Sequence, residues 1–280
     1  MKIQTSDNFN FQRTISDHGW SQLLPFEIDE NNWKLSYTFG SETPISAVLS
    51  AESTQIKIES SDAKSIEKSV RHILRLDEDF DDFYKILKKE KRLSWIAETN
   101  AGRLLRSQAV FEDLVKTICT TNCSWAMTKI MTTNLVTKLG KFSDNGKLSF
   151  PTAEAMAGQP LKFYTDEIRA GYRAAYFKEL AENVAAGKLN PELWLESDLP
   201  TKDLKKEMKQ VLGVGDYAAE NLLKLVGRYD GLALDSWLRS QFYKQHNNGV
   251  KCDDKQIIKF YDKFGKWRGL VIWLDMANRG

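Results

Sequence analysis

Hydrophobic residues recur with two different periods along this 280-residue chain. In the first 80 residues apolar and polar positions alternate, which is the pattern of half-buried antiparallel strands. The alternating apolar positions are Trp33, Leu35, Tyr37 and Phe39, and then Ile56 and Ile58. Beyond these segments apolar residues recur at helical spacing. The pattern predicts an α+β fold: a small antiparallel strand-rich N-terminal domain over residues 1–80, followed by a larger all-helical domain over residues 81–280.

The segment 202–228 contains a glycine-rich turn between two helical patterns. Gly213 and Gly215 flank Val214, so the chain can turn tightly and bring backbone N–H groups against a ligand with no Cβ in the way. The apolar residues at helical spacing are Leu204, Met208 and Val211 before the turn, and Ala219, Leu222, Leu223 and Val226 after it. Free amides and a helix N-terminus favour anions, so this predicted helix, hairpin and helix would suit a nucleic-acid phosphate. A Gly-x-Gly sequence between helices is also common as a tight turn without a ligand.

Asp235 follows this hairpin after one further helix and stands at the start of the next. The sequence Leu212-Gly213-Val214-Gly215, together with the later Asp235, resembles the signature of the helix-hairpin-helix superfamily of DNA base-excision glycosylases. The resemblance implies a helical glycosylase domain that contains the hairpin and a catalytic aspartate. An isolated aspartate at this place would be interpreted as a helix N-cap.

Other parts of the chain are similar to the same superfamily. The similar segments are residues 102–122 and Gly171-Tyr172-Arg173-Ala174. Near the N-terminus, His18-Gly19-Trp20 and Pro25-Phe26 more faintly resemble the start of bacterial 3-methyladenine DNA glycosylase II. The resemblance therefore covers most of residues 80–280 and reaches into the strand-rich part.

By this resemblance Asp235 is the catalytic residue. Hydrolysis of an N-glycosidic bond gives the sugar C1′ oxocarbenium character, which a carboxylate can stabilise while it orients or deprotonates the incoming water. A second carboxyl group is not needed, because an alkylated base already carries positive charge and leaves without being protonated. Asp230, beside Gly231, is the next candidate, although this pair is more typical of a turn.

Tyr217 indicates whether the DNA strand is also cut. Members of the superfamily with lyase activity place a lysine at this position, where its amine attacks C1′ and forms a Schiff base. The chain has no lysine between Lys209 and Lys224, and Lys224 lies about 10 Å further along the predicted helix axis. We therefore expect hydrolysis without a covalent intermediate.

The resemblance assigns DNA contacts to the hairpin and to two residues outside it. A base-excision enzyme must flip a stacked nucleotide out of the duplex and fill the gap that it leaves. Asn122, at the turn after Ile118, matches the residue that fills this gap, although an ordinary turn asparagine would look the same. The predicted DNA-binding residues are Leu212, Gly213, Val214, Gly215, Asn122 and Arg173.

The flipped base needs a pocket, and aromatic faces suit an alkylated purine because it is cationic. The residues in register with pocket-lining positions of the 3-methyladenine enzyme are Phe26, Tyr217 and Trp237. Three further aromatic residues are candidates: Trp125, Trp267 and Trp273. Core packing is an equally good interpretation for any single one of these side chains.

Features of two glycosylase branches occur together. Residues 102–122 and the segment around Arg173 look closer to the 8-oxoguanine branch, but Met127 stands where that branch has an arginine that reads the orphaned cytosine. The segment Lys266-Trp267-Arg268-Gly269-Leu270 resembles the alkylation branch. The combination favours a monofunctional glycosylase for an alkylated, 3-methyladenine-type base. The alternatives are an enzyme for an oxidised or deaminated base, such as 8-oxoguanine, and a non-catalytic protein that binds damaged DNA.

Composition restricts the partners and cofactors. The 40 Lys+Arg and 38 Asp+Glu residues give a net charge of +2, so binding to damaged double-stranded DNA must depend on a local basic face. With three cysteines, and only Cys252 beyond Cys123, neither structural zinc nor a four-cysteine iron–sulfur cluster is expected. We expect no metal or cofactor, apart from a monovalent cation that the family can bind at the hairpin carbonyls. No membrane span or signal peptide is recognisable, which predicts a cytoplasmic, nucleoid-associated bacterial monomer.

Overall fold

Five strands form one antiparallel sheet in the computed structural model of the protein, which describes residues 1–40 and 42–277. The strands are β1 Lys2–Gln4, β2 Glu27–Asp29, β3 Lys34–Phe39, β4 Ile45–Glu52 and β5 Gln55–Ser60. Their order across the sheet is β1-β5-β4-β3-β2. Tyr37 of β3 pairs with Ala47 of β4, and Leu49 of β4 pairs with Ile58 of β5. The prediction of antiparallel strands near the N-terminus is confirmed.

The alternating apolar residues form the buried face of this sheet. The buried positions among those predicted are Leu35, Tyr37, Phe39, Ile56 and Ile58. Trp33 departs from the predicted alternation, because it precedes β3 and its φ of 49° lies in the left-handed region. This turn is stabilised by Asp29, whose carboxylate accepts hydrogen bonds from the amides of Asn31 and Asn32. A local polar turn therefore overrides the strand period at Trp33.

Helices make up most of the remaining chain. They are α1 Phe11–Ser16, α2 Glu67–Ile73, α3 Asp81–Leu87, α4 Ser94–Glu98, α5 Val110–Thr120, α6 Trp125–Leu139, α7 Ala153–Ala157, α8 Leu161–Asp166, α9 Ala174–Ala185, α10 Thr201–Met208, α11 Asp216–Leu225, α12 Ser236–His246, α13 Asp254–Tyr261 and α14 Arg268–Ala277. Short 3₁₀-helices span Gly19–Gln22, Gly171–Arg173, Pro191–Leu195 and Asp262–Trp267. The predicted helix, hairpin and helix are present as α10, residues 209–215 and α11. An isolated β-bridge pairs Phe142 with Leu148 in this otherwise helical part.

The contacts divide the chain into two compact units, each built from two segments. The first unit contains Met1–Glu78 and Arg103–Glu196, and the second contains Asp79–Gly102 and the described residues from Ser197 onward. The first unit holds the sheet with α1, α2 and α5 to α9, whereas the second holds α3, α4 and α10 to α14. Near residue 80 the secondary structure changes from strands to helices. The two compact units are defined differently, by contacts between segments that are distant in the sequence.

Buried polar bonds join α5 to the N-terminal segment of the first unit. The Trp20 indole donates to Asp113 Oδ1 at 2.6 Å, and the Tyr37 hydroxyl donates to Glu112 Oε2 at 2.6 Å. Lys116 Nζ lies 2.6 Å from Glu112 Oε1. Burial raises the pKa values of Glu112 and Asp113 above those of exposed carboxyl groups. Because buried charges need partners, these bonds help to hold the segment Arg103–Glu196 in one unit with the sheet.

In the second unit, α12 is anchored at its C-terminal end. His246, the last residue of α12, has its Nε2 2.9 Å from Asp275 Oδ2 of α14. The Tyr261 hydroxyl of α13 donates to the same oxygen at 2.6 Å. Asp275 is 2% exposed, so this bonding takes place inside the unit. The anchor fixes α12, at whose opposite end Asp235 lies.

Candidate functional site

The hairpin between α10 and α11 combines one buried and one exposed apolar residue. Val214 is 5% exposed and packs inward, whereas Leu212 is 42% exposed. Gly213 has a φ of 91°, in the region that favours glycine. Gly215 has an extended backbone, with φ −88° and ψ −171°. Only the first of the two glycines is therefore needed for backbone conformation.

Gly215 is the N-cap of α11 and offers no side chain to the amides of the first turn. A Cβ built on Gly215 would meet nothing within 4 Å, so the space beside it is open. Asp216, the first residue of α11, has its Oδ1 3.0 Å from Lys205 Nζ and 3.0 Å from Lys209 Nζ. These two lysines hold the pKa of Asp216 below its ordinary value. The helix N-terminus is thus open to an anion and flanked by two ammonium groups.

Asp235 is the N-cap of α12. Its Oδ1 accepts a hydrogen bond from the Leu238 amide at 2.7 Å, and the residue is half-buried. Within the described residues, Oδ2 accepts no hydrogen bond. One carboxylate oxygen is thus fixed by the helix, and the other is left to interact with a ligand. The N-cap role is observed, and the catalytic role stays a prediction.

A buried lysine interacts electrostatically with this carboxylate. Lys224 of α11 is 2% exposed, and burial lowers its pKa to about 8. The negative charges of Glu220, Asp235 and Asp230 partly oppose that effect. From the sequence, Lys224 was identified only as an amine too distant to attack C1′, and Glu220 was not identified at all. Their spacing of four residues on one helix was the available signal.

Two of the predicted pocket residues lie in the first turns of α11 and α12. Tyr217 is the second residue of α11 and is half-buried, and Trp237 is the second residue of α12 and is 43% exposed. The Trp237 ring lies 6.4 Å from the Trp273 ring, at an angle of 52°. Trp267, by contrast, stacks on Tyr229 at 5.2 Å and is buried. Among the tryptophans of this unit, Trp237 and Trp273 are therefore better placed than Trp267 to meet a ligand.

Asn122 and Arg173 are brought together in the first unit. Asn122 is exposed between α5 and α6, with a φ of 46° that asparagine tolerates well. The buried Arg173 donates to the backbone carbonyl of Thr121, and its Nε donates to Thr121 Oγ1 at 3.3 Å. Its guanidinium also lies 4.4 Å from the centre of the Tyr172 ring. Arg173 supports the loop that presents Asn122, and a direct contact with DNA stays a prediction for both.

Phe26 lies in the core of the first unit. It is 1% exposed, its ring is 4.2 Å from that of Tyr37, and Lys116 Nζ is 4.8 Å from its centre. Trp125 is partly exposed and donates through its indole nitrogen to Gln22 Oε1 at 3.1 Å. These contacts account for the burial of Phe26. Its grouping with Tyr217 and Trp237 in a base pocket stays a prediction.

Neither a metal-binding cluster nor a membrane-spanning helix is found among the described residues. Across residues 1–40 and 42–277, no three or more His, Cys, Asp or Glu side chains are grouped so that they could hold a metal ion. Nor does any helix within these ranges combine the length and the apolar character needed to cross a membrane. A monovalent cation at the hairpin carbonyls stays a prediction.

Known structures share this architecture over nearly the whole chain. An 8-oxoguanine glycosylase/lyase from Clostridium acetobutylicum, in complex with double-stranded DNA containing cytosine opposite 8-oxoguanine, matches with a TM-score of 0.78 and 21% identity, covering 99% of this chain and 96% of that chain. A 3-methyladenine DNA glycosylase from Archaeoglobus fulgidus matches with a TM-score of 0.80 and 18% identity, covering 100% and 98%. The chain has the helix-hairpin-helix DNA glycosylase fold. The predicted α+β fold and the resemblance to this superfamily are thereby confirmed.

A curated protein is similar to this glycosylase-fold chain in sequence as well. It is a probable N-glycosylase/DNA lyase of Methanothermobacter thermautotrophicus, 24% identical over 225 residues that cover 70% of this chain and 69% of that protein. No protein-family model matches the chain. The fold is thus shared by proteins whose names refer to different bases, 8-oxoguanine and 3-methyladenine.

Proposed function

We propose that the protein is a DNA glycosylase of base excision repair. In this proposal it flips a damaged base out of double-stranded DNA and hydrolyses the N-glycosidic bond. The observation that carries the proposal is the arrangement of Asp235, half-exposed and fixed through one oxygen at the start of α12, after a hairpin whose Gly215 leaves the amides of α11 open. Fold similarity to proteins named as DNA glycosylases supports it.

In the proposed reaction the hairpin holds a phosphate while Asp235 faces the sugar. The hydrogen bond from the Leu238 amide orients Oδ1, and Oδ2 stabilises the positive charge that develops at C1′. The same oxygen can orient or deprotonate the water that attacks C1′ as the base leaves. Preorganised groups of this kind commonly contribute about 3–4 kcal/mol of transition-state stabilisation.

We further propose that the enzyme is monofunctional. Tyr217 occupies the position at which lyase members of the superfamily carry their lysine, and Lys224 is buried at 2% exposure. A phenol at this position cannot form the Schiff base that precedes strand cleavage. In this respect the chain would differ from two similar proteins, which are named as a glycosylase/lyase and a probable N-glycosylase/DNA lyase.

An alkylated purine of the 3-methyladenine type is the substrate that we favour. The exposed Trp237, with Trp273 beside it, offers the aromatic surface that attracts a cationic base. Met127 supplies no guanidinium to recognise a cytosine opposite 8-oxoguanine. An oxidised or deaminated base is the second candidate, favoured by the structural match to an 8-oxoguanine glycosylase/lyase.

The test is a panel of duplex oligonucleotides, each with one modified base: an alkylated purine, 8-oxoguanine or hypoxanthine. Under single-turnover conditions we expect abasic sites, revealed by alkali cleavage, to form fastest on the alkylated duplex. Faster excision of 8-oxoguanine or hypoxanthine would assign the second candidate. Tight binding to a damaged duplex without excision of any base would instead indicate a non-catalytic binding protein and contradict the proposal.

A further inference from the structure

We propose that Glu220 positions Asp235 by fastening the segment before it to both helices of the hairpin motif. The inference rests on the proposed glycosylase function. Glu220 lies on α11, and its Oε1 is 2.6 Å from Lys205 Nζ of α10. Its Oε2 accepts a hydrogen bond from the backbone amide of Ala233, two residues before Asp235. One carboxylate thus connects α10, α11 and the segment that presents Asp235.

The fastened segment has a backbone conformation that needs such a partner. Ala233 has a φ of 53°, in the left-handed region that alanine rarely adopts, and it is 1% exposed. Its amide is therefore buried and must be paired within the protein. A carboxylate gives this amide a charge-assisted bond, which is stronger than a bond between neutral groups. Glu220 therefore favours a conformation that the local sequence by itself disfavours.

The same segment is tightly enclosed on two sides. A Cβ on Gly231 would lie 2.9 Å from Glu220 Cγ, so the backbone at Gly231 runs directly against the Glu220 side chain. From the other side, Arg268 Nε donates to the Asp230 carbonyl at 2.6 Å, and the Gly269 amide donates to the Tyr229 carbonyl at 2.7 Å. Residues 229–233 are thus held between Glu220 and the first turn of α14. Glu220 connects them to the hairpin helices.

Loss of the bond from the Ala233 amide acts on the segment before Asp235, whereas the turn at Gly213 and Gly215 is not part of this bond. The Leu238 amide of α12 can still bind Asp235 Oδ1. A displacement of about 1 Å of a catalytic group can lower a rate about a hundredfold. We therefore expect Glu220 to affect the excision rate strongly and DNA affinity weakly.

The test compares Glu220→Ala, Glu220→Gln and the matched control Asp203→Asn. Glutamine can still accept from the Ala233 amide, and Asp203→Asn removes an exposed acidic charge of α10 that pairs with Lys206. Each variant is measured for single-turnover excision at saturating enzyme, for affinity to an abasic-site duplex, and for hydrogen exchange of the peptide covering residues 231–238. Thermal unfolding reports which variants remain folded.

We expect Glu220→Ala to speed exchange of this peptide at least tenfold and to slow excision 10- to 100-fold, with affinity changed less than threefold. Glu220→Gln should restore most of the excision rate, and Asp203→Asn should stay within threefold of the wild type. Unchanged exchange in Glu220→Ala, wild-type excision despite faster exchange, or equal losses of affinity and rate would each overturn the inference. Absence of excision by the wild-type protein would instead overturn the proposed function, and exchange would still show whether Glu220 fastens the segment.

Discussion

The guanidinium of Arg173 donates a hydrogen bond to the backbone carbonyl of Thr121, the residue immediately before Asn122. Arg173 Nε also donates to the Thr121 hydroxyl at 3.3 Å. The buried arginine thus holds the loop whose exposed tip is Asn122. The resemblance assigned both residues to DNA binding independently, whereas the structure connects them and gives Arg173 a supporting position.

Replacement of Arg173 by alanine should therefore weaken the Asn122 loop. We expect the free energy of unfolding to fall by about 1–3 kcal/mol, because buried hydrogen bonds to a charged group are lost. Base flipping, followed with 2-aminopurine beside an abasic site, should decrease as well. Asn122→Ala is the matched control, expected to impair flipping at nearly wild-type stability. A different result would show that Arg173 contacts DNA directly: unchanged stability of Arg173→Ala, together with a slope of log affinity against log salt concentration that is smaller by about 1, the contribution of one phosphate contact.

The two hairpin glycines should respond differently to substitution. Gly213→Ala places a Cβ at a φ of 91°, which should cost about 1–3 kcal/mol of stability. Gly215→Arg introduces no backbone strain and finds open space, so thermal unfolding should be nearly unchanged. Its side chain would nevertheless obstruct a phosphate at α11. We expect its affinity to fall equally for damaged and undamaged duplexes, because phosphate contacts position without specifying. A loss restricted to damaged duplexes would place the hairpin in base recognition.

Asp235→Asn should separate the observed N-cap role of this residue from its proposed catalytic role. Asparagine is as good an N-cap as aspartate, so its side-chain oxygen can keep the bond to the Leu238 amide and preserve α12. The negative charge facing C1′ is lost, and we expect single-turnover excision to fall at least a hundredfold while affinity for damaged DNA is retained. Asp235→Ala is the comparison, since it should also lose about 1 kcal/mol of stability. Wild-type excision by Asp235→Asn would contradict the catalytic assignment.

Periodicity predicts the elements of this protein better than the contacts between them. The strand alternation at Leu35 and Tyr37 and the helices on both sides of Gly213 depend on local sequence, and both are present. The bond from Arg173 to Thr121 joins residues 52 positions apart. Such a contact depends on how helices pack, and no local pattern encodes it.

The contacts around Asp235 could likewise not be predicted from the local sequence. Glu220 and Lys224 have the spacing of an ordinary solvent-exposed helix pair, yet Lys224 is buried and Glu220 bonds to the amide of Ala233. The left-handed conformation of Ala233 is also unexpected, because alanine has no intrinsic preference for it. The position of Asp235 was predictable from its motif, whereas the groups that hold it there were not.

Lys224 should make stability depend on pH in the alkaline range. Its pKa is lowered from 10.5 to about 8 in the folded protein, so the unfolded chain binds more protons between these pH values. The stability of the wild type should therefore rise relative to Lys224→Met as pH increases from 8 to 10.5. Below pH 8 the buried charge costs on the order of 3 kcal/mol. Urea unfolding at pH 7.5, 9 and 10.5 measures this difference, and a constant difference would contradict the lowered pKa.

Strand cleavage should be absent, because position 217 carries a phenol and the nearest lysine on the same helix is enclosed in the protein. With a base that it excises, the enzyme should leave an abasic strand that breaks only in alkali, and borohydride should trap no covalent protein–DNA adduct. Tyr217→Lys is the informative variant: if position 217 faces the sugar, its new amine should gain measurable trapping. Trapping by the wild type would overturn the monofunctional proposal. Lys224→Met would then identify the amine, because a pKa of about 8 leaves part of Lys224 neutral and nucleophilic near pH 7.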